Sequence, residues 1–227
     1  MKADLYSLYF EKTWGFAFLI VLFFLLFSPV GLAGEGDYEA MASQLQSQIF
    51  GTGSIDQTSI YSLVVKTVAA LMGIVFIVIG LRMAVSQKSR EAPGQVIATL
   101  IAGVMFINFA LITDVLSASI FGSYSQNLYH NPLDVAVDSS LDAGIQAYVK
   151  LAIGIVVFSG ALAVMKGTHL LSKLGSGQQD VNMGVVASFL VSGTIMINLV
   201  VFVKILNNSI GGNVQAISNI AKLIGAN

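Results

Sequence analysis

The chain has 227 residues, 56% hydrophobic and only 10% charged, with a mean hydropathy of +0.82. A soluble domain is about a quarter charged, so this composition excludes a water-exposed globule and points to lipid as the solvent. A net charge of −1 with eleven scattered basic residues excludes a clustered nucleic-acid footprint, and the lack of any cysteine excludes disulfides, thiol nucleophiles and thiolate metal sites.

Residues 1–33 read as a targeting segment. Lys2 and Lys12 precede an apolar stretch from Trp14 to Phe27, Ser28-Pro29 breaks it, and Gly31-Leu32-Ala33 offers a small-x-small cleavage site. Asp4 and Glu11 dilute the basic leader, which leaves an uncleaved anchor helix as the alternative to a signal peptide. Either one sends residue 35 out of the cytoplasm. Residues 34–59 follow as an extracytoplasmic segment in which "YEAMASQLQSQIF" sets Met41, Leu45 and Ile49 at fours, the spacing of a short amphipathic helix.

Four apolar stretches of about the 20 residues needed to cross a bilayer come next, at 60–82, 95–115, 148–166 and 184–205. The turn after the first holds Arg82, Lys88 and Arg90, and the turn after the third holds Lys166 and Lys173. Cytoplasmic loops are rich in Lys and Arg, so both turns face inward. The stretches 34–59 and 122–147 contain no Lys or Arg but carry Glu35, Asp37, Glu39, Asp56, Asp134, Asp138 and Asp142, and face outward with the C-terminal tail. The expected fold is an all-α membrane protein: two tandem transmembrane hairpins, 60–122 and 148–212, joined by an outer loop at 123–147 and followed by an amphipathic tail at 213–227.

The hairpins repeat each other. At an offset of 90, the segment from Val96 lies over the segment from Val186, matching Leu100 with Leu190, Gly103 with Gly193, Asn108 with Asn198 and Ser119 with Ser209. For the leading helices an offset of 84 sets Val65-Lys66 over Val149-Lys150 and Arg82 over Lys166. Parallel repeats of this kind are arranged around an axis along the membrane normal.

In the return helices, Ala98-x3-Ala102 and Ser188-x3-Ser192 give the small-residue spacing that lets helices approach closely in lipid, next to Gly103 and Gly193. Asn108 and Asn198 sit inside apolar runs, where an amide requires a partner. They serve either as interhelical hydrogen-bonding positions or as the lining of a pore. Lys66 and Lys150 are placed to snorkel to the outer interface, and Asp114, the only acid in any span, is placed to pair with one of them. His130 and His169 read as solvated loop residues with no companion at ligand spacing, and "LGSGQQD" lacks the lysine and the strand-to-helix setting of a phosphate loop. The tail repeats Ile210, Val214, Ile217, Ala221 and Ile224 on one helical face. No nucleophile–base pair, metal cluster or cofactor motif stands out, so neither enzyme activity nor a cofactor is expected.

The pattern of an apolar helix, a basic turn, and then "IAGVMFINFALITDVLSASIFG", echoed by "VASFLVSGTIMINLVVFVKILNNSIGG", resembles the small inner-membrane components of type IVB secretion and IncI-like conjugation machines, the IcmC/DotE type. The resemblance covers about residues 60–122 and 148–212. It implies a polytopic inner-membrane protein that works inside a multiprotein envelope complex, with other envelope subunits and further copies of itself as partners, membrane lipid around it and no catalytic residues. Two other readings stand beside it: a small channel, transporter or holin-like pore lined by Asn108 and Asn198, and a conjugative pilin-like filament subunit, which usually has a single hairpin.

Overall fold

A computed structural model describes residues 38–51, 59–85, 93–122, 137–175, 181–210 and 214–224. The expected targeting segment at 1–33, Lys88, Arg90 and His130 lie outside the described residues. Residues 1–41 and 42–227 form two separate compact units, and nearly all that is described belongs to the second. Every element among the described residues is a helix.

Helix α1, Tyr38–Phe50, is the short segment whose apolar residues recur at fours, and it ends at Gly51, whose positive φ of 82° suits the residue after a helix. Helix α2, Ile60–Val85, starts at Ser59, whose hydroxyl accepts the Ser62 N–H at 3.1 Å. It passes through a π-helical stretch at Leu63–Val68 and then runs as a regular α-helix. Its Val and Ile content is a weak helix former in water, but a helix satisfies every backbone group within itself, which is what hydrocarbon demands.

Helix α3, Pro93–Ile107, opens with a proline at its first position, where the missing N–H costs nothing. Helix α4, Phe109–Phe121, follows after the single residue Asn108. Helix α5, Ala143–Gly175, is 33 residues long. Helix α6, Met183–Ile197, is capped by Asn182, whose side-chain oxygen accepts the Val185 N–H at 2.9 Å. Helix α7, Leu199–Ser209, follows after the single residue Asn198, and α8, Gln215–Leu223, closes the described chain.

Two of these helices, α2 and α5, are long and apolar enough to cross a membrane; the number rises to four if the pairs α3–α4 and α6–α7 each count as one span. Neither pair is straight. The direction changes by 95° between α3 and α4 and by 87° between α6 and α7. The expected continuous spans at 95–115 and 184–205 are therefore each broken in the middle. With 15 residues, α3 and α6 are each about 22 Å long at 1.5 Å per residue, short of the roughly 30 Å of a hydrocarbon core.

The third apolar stretch also differs from expectation. Helix α5 continues nine residues beyond 166 to Gly175, so Lys166, His169 and Lys173 lie within a helix and not in a turn.

Helices α2 and α3 run antiparallel in contact, as do α5 and α6, and α3 joins the two pairs by packing on α5. Phe76 of α2 stacks on Phe106 of α3 with ring centroids 5.5 Å apart, and Phe106 is fully buried. At one end Tyr61 lies between Phe50 of α1 and Phe158 of α5, at 5.8 and 6.1 Å. Helix α8 is amphipathic, buries Ala221 on its inner face and rests on α7. The carbonyl of Leu223 accepts the Asp138 N–H at 3.3 Å, which ties the tail to the segment before α5. In that segment the Ser140 N–H donates to Asp138 Oδ1 at 2.9 Å and holds this carboxyl below the usual carboxylate range.

Candidate functional site at two asparagine bends

The two asparagines sit at the bends. Asn108 has φ −102°, ψ 38° and Asn198 has φ −102°, ψ 35°, nearly the same departure from helical geometry. The Asn108 backbone N–H donates to the Val104 carbonyl at 3.0 Å, and its side-chain Nδ2 donates to the same oxygen at 3.2 Å. Asn198 repeats this on the Thr194 carbonyl, at 3.1 and 2.9 Å. A side-chain amide that shares the backbone acceptor one turn back competes with the helical ladder, a recognised cause of kinks. Each asparagine carbonyl then accepts the first bond of the next helix, from Ile112 at 3.0 Å and from Phe202 at 2.8 Å. Each thus closes one helix and opens another.

Their surroundings differ. Asn198 is fully buried, and its Nδ2 also donates to the hydroxyl of Ser117 on α4 at 2.7 Å. Asn108 is exposed.

Just before each bend, two helices cross with their backbones in close approach. A Cβ on Gly160 would lie 2.7 Å from the Gly193 carbonyl oxygen, and one on Gly193 would lie 2.7 Å from the Gly160 oxygen. Gly73 and Gly103 form the matching crossing, with such atoms 2.8 and 3.1 Å from the opposite carbonyl. Seven residues on, Gly80 and Gly167 make room for leucine side chains: a Cβ on them would lie 2.6 Å from Leu100 Cδ2 and 2.8 Å from Leu190 Cδ2, respectively. The sequence reading found Gly103 and Gly193 but passed over Gly73, Gly80, Gly160 and Gly167. Their signal was the Gly-x6-Gly spacing, two helical turns, present in both leading helices.

These contacts correct the alignment of the leading helices. Gly73 is equivalent to Gly160 and Gly80 to Gly167, an offset of 87 in place of 84, so Arg82 corresponds to His169 and the second turn is longer by three residues. In the return helices the contacts agree with the offset of 90.

Among the other expected packing residues, Ala102 is fully buried and Ala98 half-buried, whereas Ser188 and Ser192 are exposed and give their hydroxyls to carbonyls of their own helix, Gly184 at 2.8 Å and Ser188 at 2.6 Å. Lys66 lies in the π-helical stretch of α2, which touches α4, the helix carrying Asp114, and both residues are half-buried. Lys150 is half-buried on α5.

His169 is the clearest departure from the sequence reading. It is buried, not solvated, with its ring edge-on to Phe76 at 5.6 Å. One turn nearer the C-terminus, Ser172 of α5 hydrogen-bonds with Thr99 of α3 at 3.1 Å between the hydroxyls. The buried hydroxyls of Thr113, Thr168 and Thr194 donate to the carbonyls of Phe109, Val164 and Leu190, four residues back. Those three hydroxyls are thus satisfied within their own helices, and of these hydroxyl contacts it is Thr99–Ser172 that joins two helices. Among the described residues no group of three or more His, Asp or Glu side chains converges to hold a metal ion.

Comparison with protein-family models, with curated proteins and with solved structures gives no match.

Proposed function

We propose that the protein is a structural subunit of a bacterial inner-membrane assembly of the type IV secretion or conjugation kind, and that its helix faces hold neighbours in place and carry out no catalysis. The observation that carries this reading is the use made of its polar and small residues. Asn198, the deepest amide, is spent on Ser117 and on the Thr194 carbonyl, and the glycines are spent on backbone contact between helices. Interhelical hydrogen bonds in lipid are worth about 0.6–2 kcal/mol each. Several such contacts suit a scaffold whose task is to keep one shape under load.

In this reading α2 and α5 cross the bilayer with Arg82 and Lys173 toward the cytoplasm. Helices α3 and α6 return most of the way, and α4 and α7 run across at the depth of the bends. The segments 34–59 and 122–147 and the C-terminus then lie in the periplasm, after a signal peptide or anchor at 1–33. The hydrogen bond from Asp138 to Leu223 supports one part of this, because it joins the acidic segment before α5 to the tail, which the order of the spans puts on the same side. Attribution to a secretion or conjugation machine rests on the resemblance of the hairpins to the IcmC/DotE type.

The test is affinity purification of the tagged full-length chain from envelopes solubilised in a gentle detergent. Recovery together with other envelope proteins, dependent on Gly160 and Gly193, is the expected result. Recovery of the chain alone would overturn the assignment to a multiprotein machine.

A further inference from the structure

Besides the ring contacts of Tyr61 with Phe158 and of Phe76 with His169, the two repeats meet through the return helix of the first, and that contact is not symmetric. Helix α3 of the first repeat packs on α5 of the second through Thr99 and Ser172, and Ser117 of α4 meets Asn198 at the end of α6. The second repeat does not return the same contact to the first. The surfaces that would make it are left uncovered on the molecule.

The repeat equivalence identifies them residue by residue. On α5, Ala161, Met165, Thr168 and Ser172 fall on one helical face, the one turned to α3, and the first three are 0% exposed. Their equivalents on α2, 87 residues earlier, are Ile74, Val78, Leu81 and Val85, which are 54%, 59%, 53% and 79% exposed. On the other side, Thr99 at 2% and Ala102 at 0% correspond, 90 residues later, to Phe189 at 36% and to the exposed Ser192. Polar groups follow the same rule. Asn198 is buried on Ser117, while its counterpart Asn108 is exposed. Asn207, the counterpart of Ser117, is half-buried, and its Oδ1 is buried with no hydrogen-bond partner among the described residues.

We infer that α6 and α7 of one copy dock on α2 and α3 of a second copy, by the contact that α3 and α4 already make with α5 and α6 inside each chain. Phe189 then stands against Val85 of the next copy, as Thr99 stands against Ser172, and Asn207 meets Asn108 as Ser117 meets Asn198. A contact between unlike surfaces repeats from copy to copy and either closes a ring or continues as an open array. Lipid covers an apolar face equally well, but it offers nothing to an amide. Beside this surface Asn207 has a side-chain oxygen with no hydrogen-bond partner among the described residues, while Asn108 and Ser192 bond carbonyls of their own helices.

The absence of native cysteine makes the test direct. In native membranes, the internal pair T99C/S172C closes a disulfide within one chain under mild oxidation and shows that the contact between the repeats is present. The equivalent pair V85C/F189C, at two exposed positions, is expected to give a covalent ladder of dimers, trimers and larger species. A mixture of chains carrying V85C alone and F189C alone is expected to stop at dimers. A V85C/F189C chain that remains monomeric while T99C/S172C closes would overturn the inference. So would a single variant that cross-links to itself as efficiently as the pair, which would mean a two-fold contact between like surfaces, or failure of T99C/S172C to close. This inference depends on the duplication and not on a role in secretion. A ladder formed by a chain that purifies with no other envelope protein would uphold it while the assignment to a secretion machine failed.

Discussion

Asn108 and Asn198 share backbone angles but differ in what their amides can reach. Asn198 spends one N–H on its own helix and one on Ser117, whereas Asn108 is given only its own helix. A double-mutant cycle should resolve this difference. Asn198→Ala and Ser117→Ala, separately and together, are expected to show a coupling of about 0.6–2 kcal/mol in reversible unfolding of the monomeric, detergent-solubilised protein. Asn108→Ala under the same conditions is expected to cost less than about 0.5 kcal/mol, as exposed substitutions usually do. A coupling indistinguishable from zero would remove Ser117 as the partner. At this scale much was legible in the sequence. An amide in an apolar run is conspicuous, and Gly103 and Gly193 were found because they sit beside it. His169 was not legible, because lysines on both sides and nearby glycines look like a turn, and only the neighbouring Phe76 makes a buried imidazole there intelligible.

At the scale of the element, the bends were the hidden feature. Residues 104–110 and 194–200 contain no proline or glycine, and a lone asparagine costs a helix only a few tenths of a kcal/mol more than an average residue. What tips the balance is that the side-chain amide takes a share of the carbonyl one turn back and that the following helix finds support elsewhere, α4 against α6. Hydrocarbon favours the uninterrupted helix, so replacing Asn108 with leucine should restore it. Spin labels at the exposed positions 97 and 120, on either side of the 95° bend, should lie about 23 Å apart in the bent pair and about 35 Å apart in a straight one, by helix rise alone. The longer distance is expected for the Asn108→Leu chain in lipid. If the distance is unchanged, tertiary packing and not the amide sets the bend. The offset of 84 for the leading helices failed at this scale as well. It aligned basic residues, which mark the membrane boundary and slide with loop length, whereas the glycines mark where two backbones meet.

For the whole molecule, the proposed topology has one point of support in the structure. The segment before α5 carries no lysine or arginine, the tail, with its Lys222, is expected on the same outer side from the order of the spans, and the two meet at the Asp138–Leu223 hydrogen bond. Cysteine accessibility extends this to both faces. Ser139→Cys, in the acidic segment before α5, should react with a membrane-impermeant maleimide in cells whose outer membrane alone is permeable. Met183→Cys, at the start of α6, should react only once the inner membrane is opened. The opposite pattern would invert the topology. The all-helical class was readable from composition and period, and the sequence repeat from its two asparagine-centred runs. The joining of the halves through α3 and α5 was not, since nothing in either repeat taken alone says which face meets the other. The crossings at Gly73–Gly103 and Gly160–Gly193 have one further consequence. Where two bulky side chains meet, a larger residue on one helix can be offset by a smaller one opposite, so damage there has genetic suppressors. Here a Cβ on either glycine meets the carbonyl of the opposite one, a backbone contact that no smaller side chain relieves. The two halves can therefore diverge over almost every lipid-facing position while remaining fixed at these crossings, where damage is repaired only by reversion.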